Sequence, residues 1–130
     1  MDQVQEDDSN EVGIKEEETV ISHVVLFRPR ATITPDQRKT LVTALRRAVE
    51  GIPEIKRATI GRRLLLKRPG YETQMAEHYE YSAILEFDSE ADLGAYLDHP
   101  AHDALGKLLF TSAEAVLAYD FVSTNLAELG

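Results

Sequence analysis

The stretch Asp92-Leu93-Gly94-Ala95-Tyr96-Leu97-Asp98-His99-Pro100-Ala101-His102 decides how the second half of the chain is built. Pro100 has no N–H and its ring clashes with a preceding helical turn, so it breaks a helix interior but suits a first helical position. One helix therefore ends near Leu97 and a second begins at Pro100. His99 falls at the N-cap and His102 at the third position of the new helix. Tyr96 lies on the last turn of the old one, with Leu93 and Leu97 expected to anchor it at helical spacing. A phenol and an imidazole are thereby brought towards one corner.

Working outward, the elements fall in a simple order. Ser89-Glu90-Ala91-Asp92 starts the first of these helices with a capping pattern. Before it, Tyr79 to Phe87 alternates as a strand, with Tyr79, Tyr81, Ala83, Leu85 and Phe87 on one face. After the second helix, which carries Ala101, Leu105, Leu108 and Leu109, Ala115 to Val122 reads as the last strand. At the other end, Thr19 to Phe27 is the first strand, with His23, Val25 and Phe27 on one face and Pro29 beyond it. Thr34-Pro35-Asp36-Gln37 carries the marks of a helix start, a hydroxyl cap, Pro at the first position and Gln three residues on. Leu41, Ala44, Leu45, Ala48 and Ile52 follow as one apolar stripe, and Gly51 and Pro53 stop the helix. Arg38, Lys39, Arg46 and Arg47 fill mainly the wet side. Arg57 to Leu66 is a second strand, followed by a polar loop at Pro69 to Glu77.

The order strand, helix, strand, strand, helix pair, strand gives a fold class of α+β: a ferredoxin-like βαββαβ protomer with a four-stranded antiparallel sheet and helices on one face. The other sheet face is also apolar, and nothing else in the chain covers it. A homodimer through that outer sheet face, sheet on sheet, is the expected solution.

Composition narrows the function classes. The chain has 130 residues, 43% hydrophobic and 28% charged, as in one soluble globular domain. It has no cysteine, which removes disulfides, thiolate nucleophiles and thiolate metal sites. No apolar run is long enough to span a bilayer. The N-terminus does not resemble a signal peptide, so a cytoplasmic protein with no membrane partner is expected. Residues 1–19 hold eight acids and one base, −7 of the net charge of −9. They read as an acidic, solvated N-terminal tail, with pairing of Val12, Ile14, Val20 and Ile21 as an extra edge strand the alternative. The domain is expected over 20–122, with 123–130 a C-terminal tail. The basic run from Lys56 to Arg68 reads as protection of an edge strand rather than a nucleic-acid patch, since the chain is acidic and lacks an aromatic platform.

Three segments carry a resemblance. Ile21-Ser22-His23-Val24-Val25-Leu26-Phe27, Tyr81-Ser82-Ala83-Ile84-Leu85-Glu86-Phe87 and Tyr96-Leu97-Asp98-His99-Pro100-Ala101-His102 resemble the signatures of the stress-responsive A/B barrel (Dabb) family. Tyr119-Asp120-Phe121 resembles its last strand. The resemblance implies a dimeric α+β barrel of ferredoxin-like protomers. One plant relative, olivetolic acid cyclase, closes a polyketide chain by aldol condensation without a cofactor. By similarity its catalytic tyrosine and histidine fall on Tyr96 and His102, and a further active-site histidine on His23. Where that enzyme has another histidine, this chain has Tyr81.

The expected function is therefore binding of a small apolar or carbonyl-containing ligand between sheet and helices, with a cofactor-independent lyase or cyclase as the alternative. His102, Tyr96 and His23 are the candidate catalytic residues; Tyr81, Phe27, Leu85 and Phe87 are the candidate ligand-binding residues. A histidine near a helix N-terminus faces the positive end of the dipole, which favours a neutral base. The plainer reading is that His99 caps its helix, His102 hydrogen-bonds locally and Tyr96 packs with its hydroxyl at the rim. A metal site from His99, His102 and His23 lacks a firm third ligand, because His99 is at a cap. No metal and no cofactor are called for.

Overall fold

The structure, a computed structural model, describes residues 19–130. The acidic segment up to Glu18 lies outside the described residues, and with it the solvated-tail reading and the Val12 and Ile14 part of the edge-strand alternative; Ile21 opens the first strand. The elements run β1 (Ile21–Pro29), α1 (Pro35–Gly51), β2 (Arg57–Arg62), β3 (Tyr81–Phe87), α2 (Glu90–Asp98), α3 (Pro100–Ser112) and β4 (Ala113–Val122). The sheet order is β2-β3-β1-β4, and every neighbouring pair is antiparallel. This is the ferredoxin-like α+β arrangement anticipated from the pattern of elements.

The helix starts follow from their caps. The Thr34 hydroxyl accepts the Gln37 N–H and the Gln37 side chain accepts the Thr34 N–H, a reciprocal capping box. Ser89 Oγ accepts the Asp92 N–H at the start of α2. His99 closes α2 and opens α3, its Nδ1 accepting the Ala101 N–H at 3.0 Å. An N–H donor fixes that nitrogen as the acceptor, so this histidine is a capping group.

Several strand ends differ from the sequence reading. β1 runs on to Pro29, which is tolerated because a register irregularity between Arg28 and Pro29 frees its position from the ladder. β2 stops at Arg62 rather than Leu66, because its ladder with β3 ends at the pair Arg62↔Tyr81. Leu64, Leu65 and Leu66 then peel off exposed, and the Glu72 carboxylate accepts the N–H groups of Leu66 and Lys67. Lys67 sits at φ 59°, in the left-handed region. β2 is an edge strand, so the basic run lies along a sheet edge.

The core lies between the sheet and the helices. Ile21, Leu85 and Phe87 from the strands meet Ala48 and Ile52 from the end of α1, Leu93 and Tyr96 from α2 and Leu105 from α3. The expectation that Leu97 anchors α2 is corrected: Leu97 is exposed and Tyr96 is buried. Leu93 and Tyr96 are three residues apart, and on this short helix the larger ring takes the inward position. On the opposite sheet face, Val24, Leu26, Ile84 and Leu117 are half-buried, and Tyr119 and Phe121 are exposed. Among the described residues no helix is long and apolar enough to cross a membrane.

Candidate functional site

Three residues from three elements meet under the helices. β1 directs His23 inward, because its alternation places Ile21, His23 and Phe27 on the buried face. α2 buries Tyr96. Pro100 starts α3 so that His102 stands one turn in, against the end of α2. The Tyr96 ring lies 4.7 Å from the His102 ring and 5.5 Å from the His23 ring, edge-on to the latter. Phe87 backs it at 5.3 Å.

Hydrogen bonding fixes both tautomers. His102 Nδ1 lies 3.1 Å from the Leu97 carbonyl, which can only accept, so Nδ1 carries the proton. His23 Nδ1 lies 2.6 Å from the Asp120 carboxylate and donates to it. Both Nε2 atoms are thus left without a partner among the described residues. The Tyr96 hydroxyl has none either, although the residue is only 2% exposed. Burial pushes its phenol up to about 12, so it stays protonated and can donate. Burial lowers His102 below the ordinary imidazole value, assisted by the nearby His23 and opposed by the Leu97 carbonyl and Asp103. A neutral imidazole with a free Nε2 is a base; a neutral buried phenol is a donor to a developing oxyanion.

The other sequence candidates separate. Leu85 and Phe87 are core residues beneath the cluster, 2% and 0% exposed. Phe27 and Tyr81 face each other across β1 and β3, four residues along from the His23↔Leu85 pair, with rings 6.4 Å apart. Tyr81 therefore does not converge on the cluster; its hydroxyl is held by Arg38 and Arg62. Arg38, placed on the wet side by its helical position, reaches back to the sheet. His78 is exposed and accepts from Arg63. Among the described residues no group of three metal-ligating side chains occurs.

Asp120 was not among the sequence candidates. Its signal was present: in the stretch Ala115 to Val122 it is the one acid at the alternate positions that carry Val116, Ala118 and Val122. Cross-strand register then sets it opposite His23.

Fold and site together define a ferredoxin-like α+β protein with a phenol buried between two oriented imidazoles. The profile of the Stress responsive A/B Barrel Domain (Dabb) family matches residues 21–123, and the chain belongs to that family. No curated protein matches the chain. Among solved structures, a dimeric ferredoxin-like protein of unknown function from Thermobifida fusca is 29% identical, with 88% of this chain and 100% of that chain covered and a TM-score of 0.65. Hydroxynitrile lyase from Passiflora edulis is 18% identical, with 82% and 94% covered and a TM-score of 0.68. SnoaB, a cofactor-independent oxygenase from Streptomyces nogalater, is 13% identical, with 82% and 94% covered and a TM-score of 0.59. At such identities the last two speak for the fold alone.

Proposed function

We propose that this protein is a homodimer in which each protomer binds a small carbonyl-containing ligand between sheet and helices at Tyr96, His102 and His23. One observation carries the reading: a buried phenol without a partner stands between two imidazoles whose Nδ1 atoms are engaged and whose Nε2 atoms are free. A buried polar group without a partner costs stability, and a ligand oxygen would relieve that cost. Tyr96 donates to the carbonyl oxygen, and His23 is steadied by Asp120.

A second reading, a cofactor-independent lyase or cyclase, is favoured by His102. Its free Nε2 and depressed basicity suit it to take a proton from carbon beside a carbonyl, with Tyr96 stabilising the enolate. The names of the lyase and the cofactor-independent oxygenase among the structural neighbours are in keeping with such chemistry on this fold. The simplest assay of both readings is solvent deuterium exchange into the methyl group of acetophenone, followed by proton NMR. Exchange above the blank that disappears in His102→Ala supports proton abstraction. Saturable shifts of the Tyr96 and His102 resonances without exchange leave binding alone. Neither effect, with acetophenone or a larger aryl ketone, removes the site.

The dimer reading rests on the apolar outer face of Val24, Leu26, Ile84, Leu117, Tyr119 and Phe121, and on dimeric relatives such as the one from Thermobifida fusca. Light scattering should give twice the chain mass of 14.6 kDa. A monomer that persists at high micromolar concentration refutes it.

A further inference from the structure

We infer that the protein has a second small-molecule site, for an amphipathic anion with a carboxylate or phosphate head, at Arg62, Arg63 and Tyr81. The site is separate from the Tyr96 cluster. Tyr81 lies four residues along β3 from Leu85, the partner of His23, which at strand spacing is about 13 Å.

The head-group chemistry follows from a count of donors. Tyr81 accepts from Arg38 at 2.7 Å and from Arg62 at 3.2 Å, which uses both lone pairs of its oxygen. Its own O–H proton has no acceptor among the described residues. Both guanidiniums also lie over the Tyr81 ring, at 6.0 and 5.4 Å. Two cations and a phenol proton therefore converge as donors. The nearest acid, Glu80, is 3.9 Å from Arg38, beyond hydrogen-bond distance. Arg62 and Arg63 have no carboxylate within 4.0 Å among the described residues; the Arg63 guanidinium donates to His78. An oxyanion supplies the acceptors that this cluster lacks.

The tail chemistry follows from the space beside it. Arg62, Arg63 and Tyr81 form one wall of a cavity of about 340 Å³. Leu26, Leu64, Tyr71 and Met75 form much of the rest. The two acids on its lining are committed elsewhere: Glu72 to the N–H groups of Leu66 and Lys67, and Glu77 to Arg28 at 3.1 Å. Leu64, Tyr71 and Met75 are otherwise half or more exposed, or nearly so, at 76, 50 and 46%. An apolar tail in the cavity covers side chains that water now touches.

The test is titration of the full chain at low ionic strength with acetate, hexanoate and inorganic phosphate, following the arginine Nε–H resonances. Acetate and phosphate compare the two head groups; hexanoate adds the tail. Saturable shifts at Arg62 and Arg63 with hexanoate or phosphate support the site. Each buried methylene strengthens binding about fourfold, so hexanoate should bind at least about tenfold tighter than acetate. Arg62→Gln should weaken both by about tenfold, and Tyr81→Phe should weaken them while the chain stays folded by circular dichroism. His102→Ala should change none of these, which separates this site from the Tyr96 cluster. No shift with any of the three anions, or equal affinity for acetate and hexanoate, overturns the proposal.

Discussion

Replacing Tyr96 with Phe should stabilise the protein while abolishing the proposed ligand binding. Most substitutions of buried residues destabilise, so the sign is the test. The ring of Tyr96 packs against His23, Phe87 and His102, and Phe keeps those contacts. What is lost is one hydroxyl, on a residue 2% exposed, with no hydrogen-bond partner among the described residues. Burying a hydroxyl without a partner costs about 1–3 kcal/mol in proteins. At the low end of that range, a gain of about 1 kcal/mol is expected. For a domain of this size that raises the midpoint by about 4 °C. Scanning calorimetry at neutral pH reads it directly. The gain should grow at alkaline pH. The folded phenol titrates at about 12 against an ordinary 10.0. Above pH 10 the unfolded chain therefore releases a proton that the folded chain retains, and the wild type loses stability that the variant keeps. A loss of more than about 1 kcal/mol in Tyr96→Phe would show that the hydroxyl has a structural partner, and the ligand argument would fall.

Three further outcomes are expected. His102 is lowered by burial from its ordinary 6.5, so the folded chain binds fewer protons than the unfolded one just below that pH; acid titration of stability should show a loss there that is absent in His102→Gln. Asp120→Asn should leave the fold intact, cost about 1–2 kcal/mol through the lost charge-assisted bond to His23, and lower ketone exchange more than it lowers stability-matched controls. Phe121→Glu, on the exposed outer face, should give a folded monomer by light scattering; an unchanged mass would place the dimer contact elsewhere.

Local chemistry determined most of the fold from sequence alone. Pro100 permits only a first-turn position, Thr34 and Gln37 complete a capping box, and strand alternation allots His23 and Phe27 to one face; each of these depends on residues a few positions apart. The same locality put His99 at a cap and His102 one turn into α3, and the motif resemblance singled out Tyr96. Tertiary structure decided what depends on residues far apart in the chain. Asp120 reaches His23 across 97 positions, through strand register that no local spacing encodes. Arg38 finds Tyr81 across 43 positions, although helical periodicity assigns it to solvent. Tyr96 rather than Leu97 faces the core because the site available between β1 and α3 fits a ring, and that space exists only once the helices pack on the sheet.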